Sequence, residues 1–166
     1  MRALLLQQLS IPWSLATRHY LPALSDEIAS WEPSMNVVKL ADMHGWMIGE
    51  WPDEQSEPIP DSTAGWLLWH IEWWESDAVR GGEWSWQFGS LDPRLVGVGG
   101  SQLFDSARAA RSLGPELLST TDLDHTCAGP LPSPQPLAVI GAWVNVELMK
   151  NVAELGQLIR LHANRR

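Results

Sequence analysis

The run WLLWHIEWWE, from Trp66 to Glu75, constrains this chain more than any other stretch. Tryptophan brings the largest apolar area of any side chain and one N–H that needs a partner. Trp66, Trp69, Trp73 and Trp74 fall on more than one side of a helix, so that helix is either buried between several neighbours or lines a pocket. Eleven tryptophans and 45% hydrophobic residues supply a core that needs no disulfide or structural metal. The 166 residues match one ordinary domain, and no internal repeat divides residues 1–166.

The other elements follow from periodicity and punctuation. Leu5, Leu9, Trp13, Ala16 and Tyr20 recur at helical spacing from Ala3 to Tyr20, with Pro12 expected to kink or break the helix near Ile11. Ser25-Asp26-Glu27 opens a short helical turn that ends at Trp31-Glu32-Pro33. Between Asn36 and Trp51, two short apolar runs flank the turn residues Asp42-Met43-His44-Gly45, which predicts a β-hairpin. WPDEQSEPIPD reads as a loop. Asp61 or Ser62 is expected to cap a second long helix over about Thr63 to Val79, stopped by Gly81-Gly82.

Residues 83–100 are glycine-rich and receive no element. Ser101 opens a third helix with Leu103, Ala107, Ala110, Leu113 and Leu117 on one face. Pro130, Pro132, Pro134 and Pro136 alternate in the connector from Ser119, which excludes helix and predicts an extended crossover. The last helix, Leu137 to about Ala163, is the longest. The expected architecture is an all-α bundle with a small β-hairpin between its first two long helices.

A formal charge of −9 argues against nucleic acid as a partner, since an acidic chain repels phosphate. Arg108 with Arg111, and Arg160 with Arg165 and Arg166, are the densest basic groups and make no patch. The lone Cys127 has no disulfide partner, which fits a reducing compartment, and HTCAGPLP offers it no flanking base. Gln7 and Gln8 interrupt the leucines after Arg2, so no signal segment is expected. No stretch approaches the roughly 18 to 20 apolar residues of a membrane span. These features predict a cytoplasmic chain with no membrane partner.

The candidate chemistry lies on the last helix and on His70. At about 100° per residue, Glu147, Lys150, Asn151 and Glu154 share one stripe. Ile140, Trp143, Leu158 and Leu161 continue that stripe at both ends, while Val144, Leu148, Leu155 and Ile159 lie alongside. Asn145, Gly156 and Arg160 occupy the opposite face, which is either the outside or a close helix contact. A polar band framed by apolar residues implies a pairing network, a metal or a bound ligand, because an unpartnered buried carboxylate costs several kcal/mol. The plainer alternative is a solvated charge run. His70, in the middle of the tryptophan run, is either a satisfied core histidine or part of the same site.

WLLWHIEWWE and the last helix, with AWVNVELMKN and Glu154-Leu155-Gly156-Gln157, resemble the DinB-like superfamily, as does the stretch from Asp26-Glu27 to Trp31-Glu32-Pro33. The resemblance implies a four-helix bundle over nearly the whole chain. It also implies a divalent-metal site, with His70, Lys150 and Glu154 at the three ligand positions. A protonated lysine has no lone pair to donate, so this triad is degenerate. Glu147 or Asn151 would complete a zinc or nickel shell, or the Lys150 ammonium would replace the metal's charge, which is the favoured arrangement. If that network is buried, loss of Lys150 alone is expected to cost about 3 to 5 kcal/mol.

Two functions are implied. The first is a small-molecule-binding protein with its pocket between the second and last helices, formed by His70, Glu147, Lys150, Asn151 and Glu154. The second is a metal-dependent transferase or isomerase that uses low-molecular-weight thiols such as mycothiol or bacillithiol. A purely structural polar network is the third reading. Small residues on the back of the last helix, Ala142, Ala153 and Gly156, would let two copies approach as a homodimer.

Overall fold

A computed structural model describes residues 1–43, 46–50, 57–79, 122–127 and 133–165, with backbone only at 42, 43, 46–48, 72–79 and 127. The chain is mostly helical. Helix α1 spans Arg2–Leu15, α2 Asp26–Ser30, α3 Ala64–Val79 and α4 Leu137–Asn164. Among the described residues six short strands join them: β1 Val37–Val38, β2 Leu40–Met43, β3 Trp46–Gly49, β4 Asp61–Ser62, β5 Thr126–Cys127 and β6 Gln135–Pro136. The expected helix at Ser101 to Leu117 lies outside the described residues, as do Gly81-Gly82 and residues 83–100.

Helix α1 does not break at Pro12. Its backbone continues to Leu15 and then widens into a π-helical segment, Ala16–Tyr20. Proline removes one helical N–H and crowds the preceding turn, a penalty of about 3 kcal/mol. Here Leu9, Pro12, Trp13 and Ala16 are all buried, and packing a Leu or Trp out of water offsets about 1.5 to 3 kcal/mol each. Tertiary packing thus outweighs the local defect. The wider π turn carries Tyr20 across to α4, where a Cβ on Gly156 would overlap its ring.

The other ends follow cleaner rules. Ser25 caps α2, its hydroxyl accepting the Ile28 N–H at 3.3 Å. Thr63 caps α3 in place of the expected Asp61 or Ser62: its Oγ1 accepts the Trp66 N–H at 3.1 Å. Residues 61–62 instead form β4, parallel to β1, with Val37 opposite Asp61 and Val38 opposite Ser62. That short pairing holds the entry of α3 against the hairpin. The expected hairpin forms, with β2 antiparallel to β3 in a register from Leu40–Gly49 to Met43–Trp46, but Asp42 and Met43 lie in β2 instead of the turn, and Val37-Val38 pairs with β4 outside it. At the start of α4, where Pro136 offers no side-chain cap, the Leu137 and Ala138 N–H groups donate to the carbonyls of His125 and Leu123.

Helix α4 lies against both α1 and α3. The core joins Leu9, Trp13 and Ala16 of α1, Leu67, Leu68, Trp69 and Ile71 of α3, and Leu148, Val152, Leu155 and Leu158 of α4. Asn145 sits inside the α1–α4 contact and donates from Nδ2 to the Leu5 carbonyl at 2.9 Å. The tryptophans of α3 tie it to the hairpin: Trp66 Nε1 donates to the Glu50 carbonyl at 2.7 Å, and the Trp69 ring covers Gly49. Glu27 of α2 pairs with Arg165 and faces His162, whose ring meets Trp31 edge-on at 5.4 Å. Among the described residues, no helix is long and apolar enough to cross a membrane.

Candidate functional site

The polar stripe of α4 runs along the border between its buried and exposed faces, and the structure grades its residues from solvent to core. The Lys150 side chain is 57% exposed and places Nζ 3.1 Å from the Glu147 carboxylate, whose side chain is 21% exposed. Glu154 is half-buried and accepts the Ser62 hydroxyl at 2.6 Å. Asn151 is fully buried. One stripe in the sequence therefore runs from an exposed lysine through half-buried carboxylates to a fully buried amide.

His70 is buried beside this stripe. Its ring lies 4.5 Å from that of Trp66 and stacks on Trp69 at 6.4 Å, centroid to centroid. Burial, reinforced by the positive charge of Lys150, lowers its pKa from 6.5 to about 3, so the imidazole is neutral at physiological pH. Glu154 meets Ser62 just before α3, whereas Lys150, one turn earlier in α4, acts on His70, two turns later in α3. The two helices therefore run in opposite directions, with Lys150 and Glu154 on the α3 side of α4 and Glu147 tied to Lys150.

The buried-network expectation for Lys150 is corrected by its exposure. An ion pair so open to water contributes about 0 to 1 kcal/mol, far below the cost of breaking a buried one. The face holding Asn145 and Gly156 is likewise resolved as a close helix contact, since both are buried against α1 and the turn after it. Gly156 is thereby occupied within the chain and is removed from the surface expected to meet a second copy.

Asn151 is the residue that lacks an account within the fold. Among the described residues neither its Oδ1 nor its Nδ2 finds a hydrogen-bond partner, although the side chain has no contact with solvent. Each unsatisfied buried polar group costs about 1 to 3 kcal/mol, so such an amide is rarely retained without a use. Sequence reasoning placed Asn151 on the stripe but could not rank it above its neighbours. It missed Ser62, whose partner lies 92 positions away. The only local signal was the surplus of capping residues in Asp61-Ser62-Thr63, of which one cap needs only one.

Among the described residues, the donors do not fit a zinc or nickel centre. The Lys150 ammonium is directed to Glu147 and has no lone pair to donate. Among the described residues, no three His, Cys, Asp or Glu side chains gather closely enough to hold a metal ion. Comparison with protein-family models, with curated proteins and with solved structures finds no match for this chain.

Proposed function

We propose that this chain is a DinB-like four-helix-bundle protein of the cytoplasm, with a degenerate metal triad, that binds a small molecule between α3 and α4. The observation that carries this reading is Asn151, a fully buried amide with both hydrogen-bonding atoms unused. On the same stripe of α4 stand the half-buried carboxylates of Glu147 and Glu154, and the Lys150 charge beside them acts on the neutral imidazole of His70. A ligand that reaches the amide supplies the hydrogen bonds the fold does not. The test is native mass spectrometry of the purified protein. A stoichiometric adduct that is released on denaturation is expected. Stoichiometric zinc or nickel, with stabilisation by mycothiol or bacillithiol, would favour the thiol-dependent transferase or isomerase instead.

The expected homodimer belongs to the same proposal. On the outer face of α4, Val139, Val146 and Met149 are exposed and recur with Ala142 and Ala153 at alternating three- and four-residue steps. Turned antiparallel about Val146, two such helices set Val139 opposite Ala153 and Met149 opposite Ala142, so that large meets small. Light scattering at micromolar concentration is expected to give twice the 18.5 kDa chain mass, and Val146→Glu to halve it.

A further inference from the structure

We propose that Glu154, Asn151 and Ser62 form the polar end of this site and that they select a ligand carrying a protonated amine. The inference rests on the small-molecule reading above and adds the class of ligand.

Charge is the first argument. Of the two carboxylates on the stripe, Glu147 has its counter-ion, Lys150, at 3.1 Å. Glu154 is also withdrawn from water, yet its partner is the neutral Ser62 hydroxyl at 2.6 Å, and among the described residues no cation pairs with it. A half-buried carboxylate without a counter-ion attracts a cation that arrives with the ligand. His70 does not supply that charge, because burial keeps its imidazole neutral. Lys150 is engaged with Glu147 and open to water, where its repulsion of a second cation is screened. An anionic ligand would meet two carboxylates on entering.

Hydrogen bonding is the second argument, and it is independent of the first. Asn151 lies one helical turn before Glu154 on the same stripe, and its amide is wholly buried with no partner. An ammonium group placed between them donates one N–H to the Glu154 carboxylate and another to Asn151 Oδ1. Hydrogen bonds between ionised groups are about twice as strong as neutral ones, so the pair with Glu154 carries most of the selectivity. Asn151 Nδ2 remains to donate to an oxygen next to the amine, such as a hydroxyl or a carbonyl. Ser62 fixes the carboxylate by holding one of its oxygens.

The experiment compares three probes of one size and different charge: n-butylamine, butyramide and butyrate. Each is titrated into the intact protein at low salt while the side-chain amide signal of Asn151 is followed by NMR. The expected result is a saturable shift with n-butylamine that weakens as salt is raised. Glu154→Gln, which retains an oxygen for Ser62, is expected to weaken amine binding about tenfold while circular dichroism shows the same helix content. Equal or tighter binding of butyramide or butyrate overturns the assignment. So does amine binding that Glu154→Gln leaves unchanged, or no response to any probe. The broader reading is judged separately: an adduct seen by native mass spectrometry alongside a failed amine titration keeps the small-molecule site and rejects only its ligand class.

Discussion

Lowering the pH from 6.5 to 4.5 is expected to remove about 2 to 3 kcal/mol of stability through His70 alone. The folded chain holds this imidazole at about 3, while in the unfolded chain it returns to 6.5. The unfolded state therefore binds a proton that the folded state refuses. Above pH 6.5 neither state is protonated and the full stability is present. Below it, each pH unit costs about 1.4 kcal/mol until the folded value is reached. Burial among Trp66, Trp69 and the core of α3 is the main cause, and the Lys150 charge adds to it. His70→Gln cannot titrate and is expected to lose this slope while keeping a polar side chain. Urea melts of both proteins at pH 7 and pH 4.5 make the comparison, and the difference between them cancels the carboxylates common to both. Identical pH dependence would mean that His70 opens to water in the native state.

Replacing Asn151 with leucine is expected to stabilise the ligand-free protein by about 1 to 3 kcal/mol and to abolish ligand retention. Most buried polar-to-apolar changes are unfavourable because they strand a hydrogen-bond partner. Here there is no partner to strand among the described residues, as neither amide atom has one. Leucine has the same branching at Cγ and removes the desolvation cost of the amide from a position with no exposure. A site that binds at the expense of stability shows this inverse relation. Denaturant melts report the stability, and native mass spectrometry reports the retained adduct. If Asn151→Leu proves less stable than the parent, the amide is satisfied in solution by water and the site loses its strongest support.

Much of the framework was legible from residues close together in the chain. The start of α2 at Ser25-Asp26-Glu27, a hairpin between Asn36 and Trp51, the tryptophan-bearing α3 and the full length of α4 each rest on local signals. These are a polar helix-starting residue, a Gly-containing turn between apolar runs, and helical periodicity. The alternating prolines likewise excluded helix before α4. The stripe of Glu147, Lys150, Asn151 and Glu154 was also legible, since a helix repeats whatever surrounds it.

What the stripe faces was decided only by tertiary structure. Asn151 is sealed inside while Lys150, one residue earlier, stays 57% exposed. Ser62 left the cap to Thr63 because β4 pairs with β1, and that freed its hydroxyl for Glu154. Helix α1 continued through Pro12 because its buried face met α4, and packing there outweighed a defect that the isolated segment could not absorb. The sequence alone determined which residues share a helix face, because that depends on about 100° of rotation per residue. Which faces met, and hence which polar groups lost their water, depended on contacts between segments as far apart as Leu5 and Asn145, and no local pattern encodes those.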